Sequence, residues 1–248
     1  MTGLPGTGAI LAAMDATWAP AALHRTGPWL LREGRGGGNR VSCITQEAAA
    51  DLPADIAPVA AAARALGQTP VFRIAPEAAP GDAALDAALD RLGYPLSHPV
   101  ALHAAPVALL AQEPPPVTAF ALWPPLQIQR DLWEETGIGP ARLAVMDRAP
   151  EPRAALLGRV RDRAAGVGFV AIAGDIAMIH AVGVLPELRR LGTARHMLAR
   201  AAVWAAENGA TTLALAVEAE NHGAIALYAA AGMQLAGRYH YRAAQEAG

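Results

Sequence analysis

The hydrophobic pattern of the chain changes period sharply at one place. From Ala177 to Val184 apolar residues run and alternate as in a half-buried strand, and Pro186 ends ladder donation. From Ala194 onward they fall at Ala194, Met197, Leu198, Ala201 and Ala205, the spacing of one buried helix face, which Gly209 closes. A strand over Thr211 to Val217 follows, and another over Met233 to Arg242. Upstream, Leu156 to Asp162 and Val167 to Ala173 alternate around Ala164-Ala165-Gly166 and read as a hairpin, with Gly174-Asp175 turning the chain into the central strand. Further back the pattern predicts a strand over Val117 to Trp123, a helix from about Leu126 to Thr136, and a strand over Arg142 to Met146 that stops before Pro150.

The first half is less regular. Gly3 to Gly8 has the glycines of a phosphate loop, but no Lys-Ser or Lys-Thr follows and no strand precedes it, so it reads as a flexible terminus. Trp29 to Arg32 and Arg40 to Ile44 read as two short strands around Glu33 to Asn39, a mobile glycine-rich hairpin tip. A helix over Asp55 to Leu66 with Asp55 as N-cap, a strand over Pro70 to Ile74, a helix over Asp82 to Leu92 and a strand over Val100 to Leu110 complete it. Gln112 to Pro116, with three consecutive prolines, is the clearest linker and divides the chain into residues 1–112 and 113–248.

Composition narrows the function. With 53% hydrophobic residues in 248, the chain has ample material for a core. Much of that is Ala, and no run of about 18 apolar residues escapes charge or proline, which argues against a membrane span. The first residues lack the basic start of a signal peptide, so a cytoplasmic location is expected. A net charge of −2 disfavours nucleic acid as a partner. The single cysteine, Cys43, excludes an intramolecular disulfide and reads as a small core residue, because no histidine is tied to it by a motif. Seven histidines without ligand spacing give no metal site.

The turn between the central strand and its helix carries the chemistry. Arg189, Arg190 and Arg195 surround a helix start whose first N–H groups have no intrahelical partner, and Gly192 and Ala194 leave the backbone approachable. Such a junction suits a phosphate or pyrophosphate. The spacing Arg189-x-x-Gly192-x-Ala194, preceded by Val182-x-Val184, resembles the acetyl-CoA signature of the GNAT N-acetyltransferase superfamily. Asn221-x-x-Ala224-x-x-Leu227-Tyr228, with Gly232-Met233 after it, resembles the second GNAT signature in the expected order. The first half resembles the degenerate N-terminal part of tandem GNAT proteins at Trp29, Leu31, Arg32 and Arg40, whereas Ser42 and Cys43 stand where that pattern has Asn and Ser.

The resemblance implies an α/β (α+β) fold with a mixed, mostly antiparallel sheet flanked by helices, and an acetyl-CoA-dependent transfer to a primary amine of a small molecule or peptide. It implies that the pantetheine arm of CoA pairs with backbone at Val182, Gly183 and Val184. The pyrophosphate would sit on amides from Arg190 through Leu191, Gly192, Thr193 and Ala194 to Arg195, with Asn221 holding the arm and Ala224 beside it. Tyr228 matches the family's general acid. For the base, His180, expected on the same strand face as Val182, Glu218 and water all stand open. A non-catalytic acyl-CoA-binding or sensing protein with the same fold is the alternative. The resemblance also implies that the strand over Met233 to Arg242 needs a neighbour, and only Ala243 to Gly248 follow it. Strands at Val71 to Ile74 and Val100 to Leu110 are expected to cover it, making both halves one body. A second copy of the chain, as a homodimer, is the other cover.

Overall fold

The computed structural model describes residues 3–47 and 56–244. The Asp55 N-cap and the last four residues lie outside that range. Among the described residues one sheet of eleven strands crosses the molecule in the order β1-β2-β3-β4-β11-β5-β10-β9-β8-β7-β6. From the first half come β1 (Ala22–Thr26), β2 (Trp29–Glu33), β3 (Ile44–Gln46), β4 (Val71–Ile74) and β5 (Leu96–Pro106). The second half adds β6 (Ala119–Leu122), β7 (Arg153–Val160), β8 (Arg163–Ala173), β9 (Ile176–Val184), β10 (Thr212–Glu218) and β11 (Gln234–Ala243). Only the β3–β4 and β9–β10 pairings are parallel.

The last strand is covered as expected. β11 is paired with β5 from Gln234, opposite Ala104, to Arg242, and on its other edge with β4 over His240 to Ala243, so both neighbours come from the first half. β5 is itself paired to β10 over Val100 to Pro106. The sheet therefore runs from one half into the other without a break.

Helices α1 (Thr7–Thr17), α2 (Asn39–Ser42), α3 (Ala57–Ala65), α4 (Asp82–Arg91), α5 (Val107–Leu110), α6 (Gln127–Glu135), α7 (Pro140–Arg148), α8 (Thr193–Glu207) and α9 (His222–Ala230) cover the sheet. On one face Met197, Leu198, Ala201 and Ala205 of α8 bury against Ala154, Leu156, Val170, Ile179 and Leu215. The alternate residues Ala155, Leu157, Val167 and Phe169 face the other side and pack on Trp18, Trp133 and Val145. Gly158 and Gly166 let α8 approach closely, since a Cβ on Gly158 would meet Thr193 Cγ2 at 2.5 Å. No helix among the described residues is long and apolar enough to cross a membrane.

Several readings of the sequence are corrected. The expected flexible terminus is α1 from Thr7 on, with Thr7, Ile10, Leu11, Met14 and Thr17 buried on one face. Arg142 to Met146 is helical, because Pro140 opens α7 and Val145 and Met146 are its buried face. The β7–β8 turn falls at Arg161-Asp162, both with left-handed φ (51° and 57°), a two-residue type I′ turn, not at Ala164 to Gly166. Arg40 to Ser42 is a helical turn, not strand, and β5 stops at Pro106, after which Val107 and Leu110 turn inward.

The glycine-rich stretch before α2 is packed, contrary to the mobile tip expected. A Cβ on Gly34 would meet Ser42 Oγ at 2.0 Å, and one on Gly37 would sit 2.7 Å from Val41 and 2.8 Å from Val145 of α7. Only glycine lets this loop close between the halves. Cys43 beside it is fully buried, as a core residue.

Candidate active site

The site begins where two central strands part. β9 and β10 are paired only from Ile176–Thr212 to Ile179–Leu215; beyond that β9 stays with β8 and β10 with β5. The cause is a bulge in β9. His180 stands opposite Phe169 but Gly183 opposite Val167, so β9 carries one residue too many, and Ala181 absorbs it with φ of 50°. The indole N–H of buried Trp133 on α6 donates to the Ala181 carbonyl at 3.0 Å and holds the bulge in place. The backbone of β9 from 180 to 184 thus faces a gap, with no strand on its β10 side among the described residues. A cleft of about 1270 Å³ occupies the gap.

The bulge also separates two residues expected on one face. Val182, half exposed, joins Ile179, Ala194, Leu227 and Tyr228 on the α8 side. His180 points the other way, stacked on Trp18 at 5.0 Å between ring centroids and 2% exposed. Its Nε2 lies 2.8 Å from Thr17 Oγ1, whose own proton goes to the Ala13 carbonyl at 2.7 Å. Nε2 therefore carries the ring proton and Nδ1 the lone pair, and Nδ1 has no partner among the described residues. Burial, and then the charge on Arg40, hold His180 well below the usual histidine range.

That shift makes the fold sensitive to acid. His180 stays neutral in the folded protein while the unfolded chain takes up a proton near pH 6.5, so stability is expected to fall as the pH drops below about 6.5. His103, lowered by burial and then by Arg238, adds in the same direction. Urea unfolding at pH 7.5 and 5.0 measures this. In His180→Gln the decrease should shrink, and an unchanged decrease would assign it elsewhere.

The gap opens onto the N-terminus of α8. Its first backbone bond runs from His196 N–H to the Gly192 carbonyl at 3.0 Å, and no side chain caps it. The N–H groups of Thr193, Ala194 and Arg195 are therefore free among the described residues. Gly192 has φ of 89° and Arg190 of 62°, which curls the preceding backbone into a nest. Thr193 Oγ1 is buried there without a hydrogen-bond partner. Arg189 donates to the Val184 carbonyl at 3.1 Å, and Leu191 packs inward. Free donors, an orphaned hydroxyl and arginines without carboxylate partners among the described residues fit a phosphate group.

α9 forms the other lip. Asn221 Oδ1 accepts from Ala224 N–H at 3.1 Å and caps the helix, which leaves the Asn221 amide N–H₂ outward. Tyr228 is 7% exposed on the inner face of α9, and burial pushes its phenol up to about 12. It is protonated at neutral pH. Glu218 sits at the rim, exposed, and pairs with His98 Nδ1 at 3.4 Å. No group of His, Cys, Asp and Glu among the described residues is arranged to hold a metal.

Residues 116–233 match the family model of the GNAT acetyltransferases. The chain carries a GNAT domain. Among solved structures, a GCN5-related N-acetyltransferase from Kribbella flavida superposes with a TM-score of 0.75 at 19% identity, over 99% of this chain and 98% of that one. A conserved Staphylococcus epidermidis protein of unknown function gives 0.66 at 12% identity, over 92% and 94%. A tandem GNAT protein from the clavulanic acid biosynthesis pathway, without AcCoA, gives 0.56 at 18% identity, over 94% and 87%. These likenesses establish the GNAT fold across both halves. No curated protein matches the sequence.

The first half supplies part of the cleft that sequence reasoning missed. Trp18, Gly37, Gly38, Arg40 and His98 line it with Tyr239 and Tyr241. Arg40 was marked by the tandem-type resemblance, but nothing in the periodicity placed it there. The alternation of Tyr239 and Tyr241 was the signal for the other pair.

Proposed function

We propose that the protein is an acetyl-CoA-dependent N-acetyltransferase that acetylates a primary amine by direct attack in a ternary complex. The observation that carries this reading is the parting of β9 and β10 directly onto the uncapped start of α8. Bound acetyl-CoA would supply an activated acyl group as a thioester. The N–H groups of Thr193 to Arg195, with Arg189, Arg190 and Arg195, would bind the pyrophosphate, and the hydroxyl of Thr193 would gain the partner it lacks. The edge of β9 over Val182, Gly183 and Val184 that faces away from β8 would offer an extended arm the hydrogen bonds of a missing strand once Arg189 releases the Val184 carbonyl, and the outward amide of Asn221 faces the same opening.

Tyr228 holds a proton on Oη that a leaving thiolate can take. The base that takes the proton from the amine would be His180 on the opposite wall, whose Nδ1 is unpartnered among the described residues but buried, or Glu218 at the rim, which would also attract a cationic amine, or water. In this reading residues 113–248 are the catalytic GNAT domain and residues 1–112 a degenerate GNAT-like half whose β5 completes the catalytic sheet.

The test is release of free thiol from acetyl-CoA across a panel of amines: aminoglycosides, polyamines, amino acids and peptides. Amine-dependent thiol release is expected. Tight CoA binding with no release for any amine would make the protein an acyl-CoA binder instead.

A further inference from the structure

The fully buried arginines among the described residues are neutralised. Arg32 and Arg73 share the Asp15 carboxylate, and Arg242 pairs with Asp86 and Asp90. Arg40, partly exposed, lies in the wall of the cleft and makes no salt bridge among the described residues; its Nη2 donates to the Ala216 carbonyl at 3.2 Å, and Tyr239 is a second hydrogen-bond partner. Ala216 is the first β10 residue past the segment paired to β9, so the guanidinium reaches into the gap between the two strands. A guanidinium is charged at any physiological pH and carries five donors. Burial pushes the neighbouring Tyr241 phenol well up, so that ring brings no negative charge at neutral pH. Arg142, exposed at the cleft mouth beside Gly38, likewise has no carboxylate partner among the described residues.

The position is fixed by the backbone. Gly34 and Gly37 allow the loop to close under Val41, and Gly38, with φ of 92°, turns the chain into α2 so that Arg40 projects from it. A mere salt-bridging surface arginine would need none of this. Arg40 also lies close enough to His180 for its charge to act on that ring. A cation without a salt bridge among the described residues thus stands beside His180, on the wall opposite Tyr228, with Glu218 near enough for its charge to act on it.

We infer that the acceptor is an amine that also carries a carboxylate, as an amino acid does, and that Arg40 from the first half of the chain binds that carboxylate; this rests on the transferase reading above. A single planar guanidinium matches a monoanionic carboxylate in its fork geometry. Glu218 at the rim disfavours a dianion such as a phosphate ester and suits the ammonium end of a zwitterion.

The experiment compares amino acids with their own carboxamides and with the corresponding decarboxylated amines, as kcat/KM from thiol release and as affinity by calorimetry in the presence of CoA. The intact protein is expected to prefer the carboxylate by about ten- to a hundredfold, the worth of a charged hydrogen-bonded pair. Arg40→Gln should erase the preference and Arg40→Lys should keep part of it. Equal or better use of carboxamides by the unmodified protein overturns the inference, whatever the variants do, and so does a preference that survives in folded Arg40→Gln. Either result leaves the transferase reading standing, whereas absence of thiol release with every amine overturns that reading and this inference together.

Discussion

Tyr228→Phe is expected to lower turnover by roughly a hundred- to ten-thousandfold, the usual range for a general acid. The change removes one hydroxyl from a ring packed among Ile179, Val182, Ala194 and Leu227, so the packing and the cofactor-binding turn stay in place. Burial keeps that phenol protonated far above neutral pH, which is the state a proton donor needs. Single-turnover thiol release separates the chemical step from binding. The expected outcome is a collapse in rate with CoA affinity within about twofold of the parent, since Oη binds no part of the phosphate site. Unchanged turnover would leave Tyr228 as a packing residue.

The second large effect concerns stability. Asp15 near the end of α1 accepts from Arg73 through both oxygens, at 2.6 and 2.8 Å, and from Arg32 at 2.7 Å. Burial pushes the Asp15 carboxyl up, but hydrogen bonds and charge from Arg73 and then Arg32 outweigh it and hold the group below the usual carboxylate range. Both arginines are almost fully buried. Asp15→Ala strands two cations in the core and is expected to cost about 3–5 kcal/mol, the range for breaking a buried ion pair. α1 shares one buried cluster with Met178 and Ala214 of the second half and with Val71, Val100 and Leu102 of the first. Its loosening should therefore lower the single unfolding midpoint in urea. A midpoint shifted by less than about 1 kcal/mol, the level of an exposed pair, would contradict the role given to this triad.

How far the sequence reached depended on whether a signal was local. The α8 face at Met197, Leu198, Ala201 and Ala205, the Gly209 stop and the order of strands after Gly174 were all legible, because periodicity and punctuation lie within a few residues of one another. α1 carried an equally clear spacing at Thr7, Ile10, Leu11 and Met14, but the glycines and proline before it drew the reading toward a loose end. At Arg161-Asp162 two ordinary residues take left-handed φ, while the nearby Ala164-Ala165-Gly166 looked more like a turn. Tertiary pairing decided that register.

The site divides along the same line. The turn at Arg189 to Arg195 and the Asn221 to Tyr228 segment are contiguous motifs, and the structure sets both on one cleft. The bulge at Ala181 is not written in β9 alone. It depends on Trp133, 48 residues away, and it moves His180 off the face of Val182. Arg40 is further still, brought to Ala216 across 176 residues of chain by a sheet that interleaves the two halves.

The claim on which the account turns is that the start of α8 binds the phosphates of acetyl-CoA. Calorimetric titration of acetyl-CoA into the unmodified protein and into Gly192→Leu measures it directly. At φ of 89° a leucine distorts the nest and crowds the backbone that meets the anion, so affinity should fall by about tenfold or more, the worth of one charge-assisted hydrogen bond, in a variant that still unfolds cooperatively. Equal affinity in the two folded proteins, or no binding to the unmodified one, would contradict it.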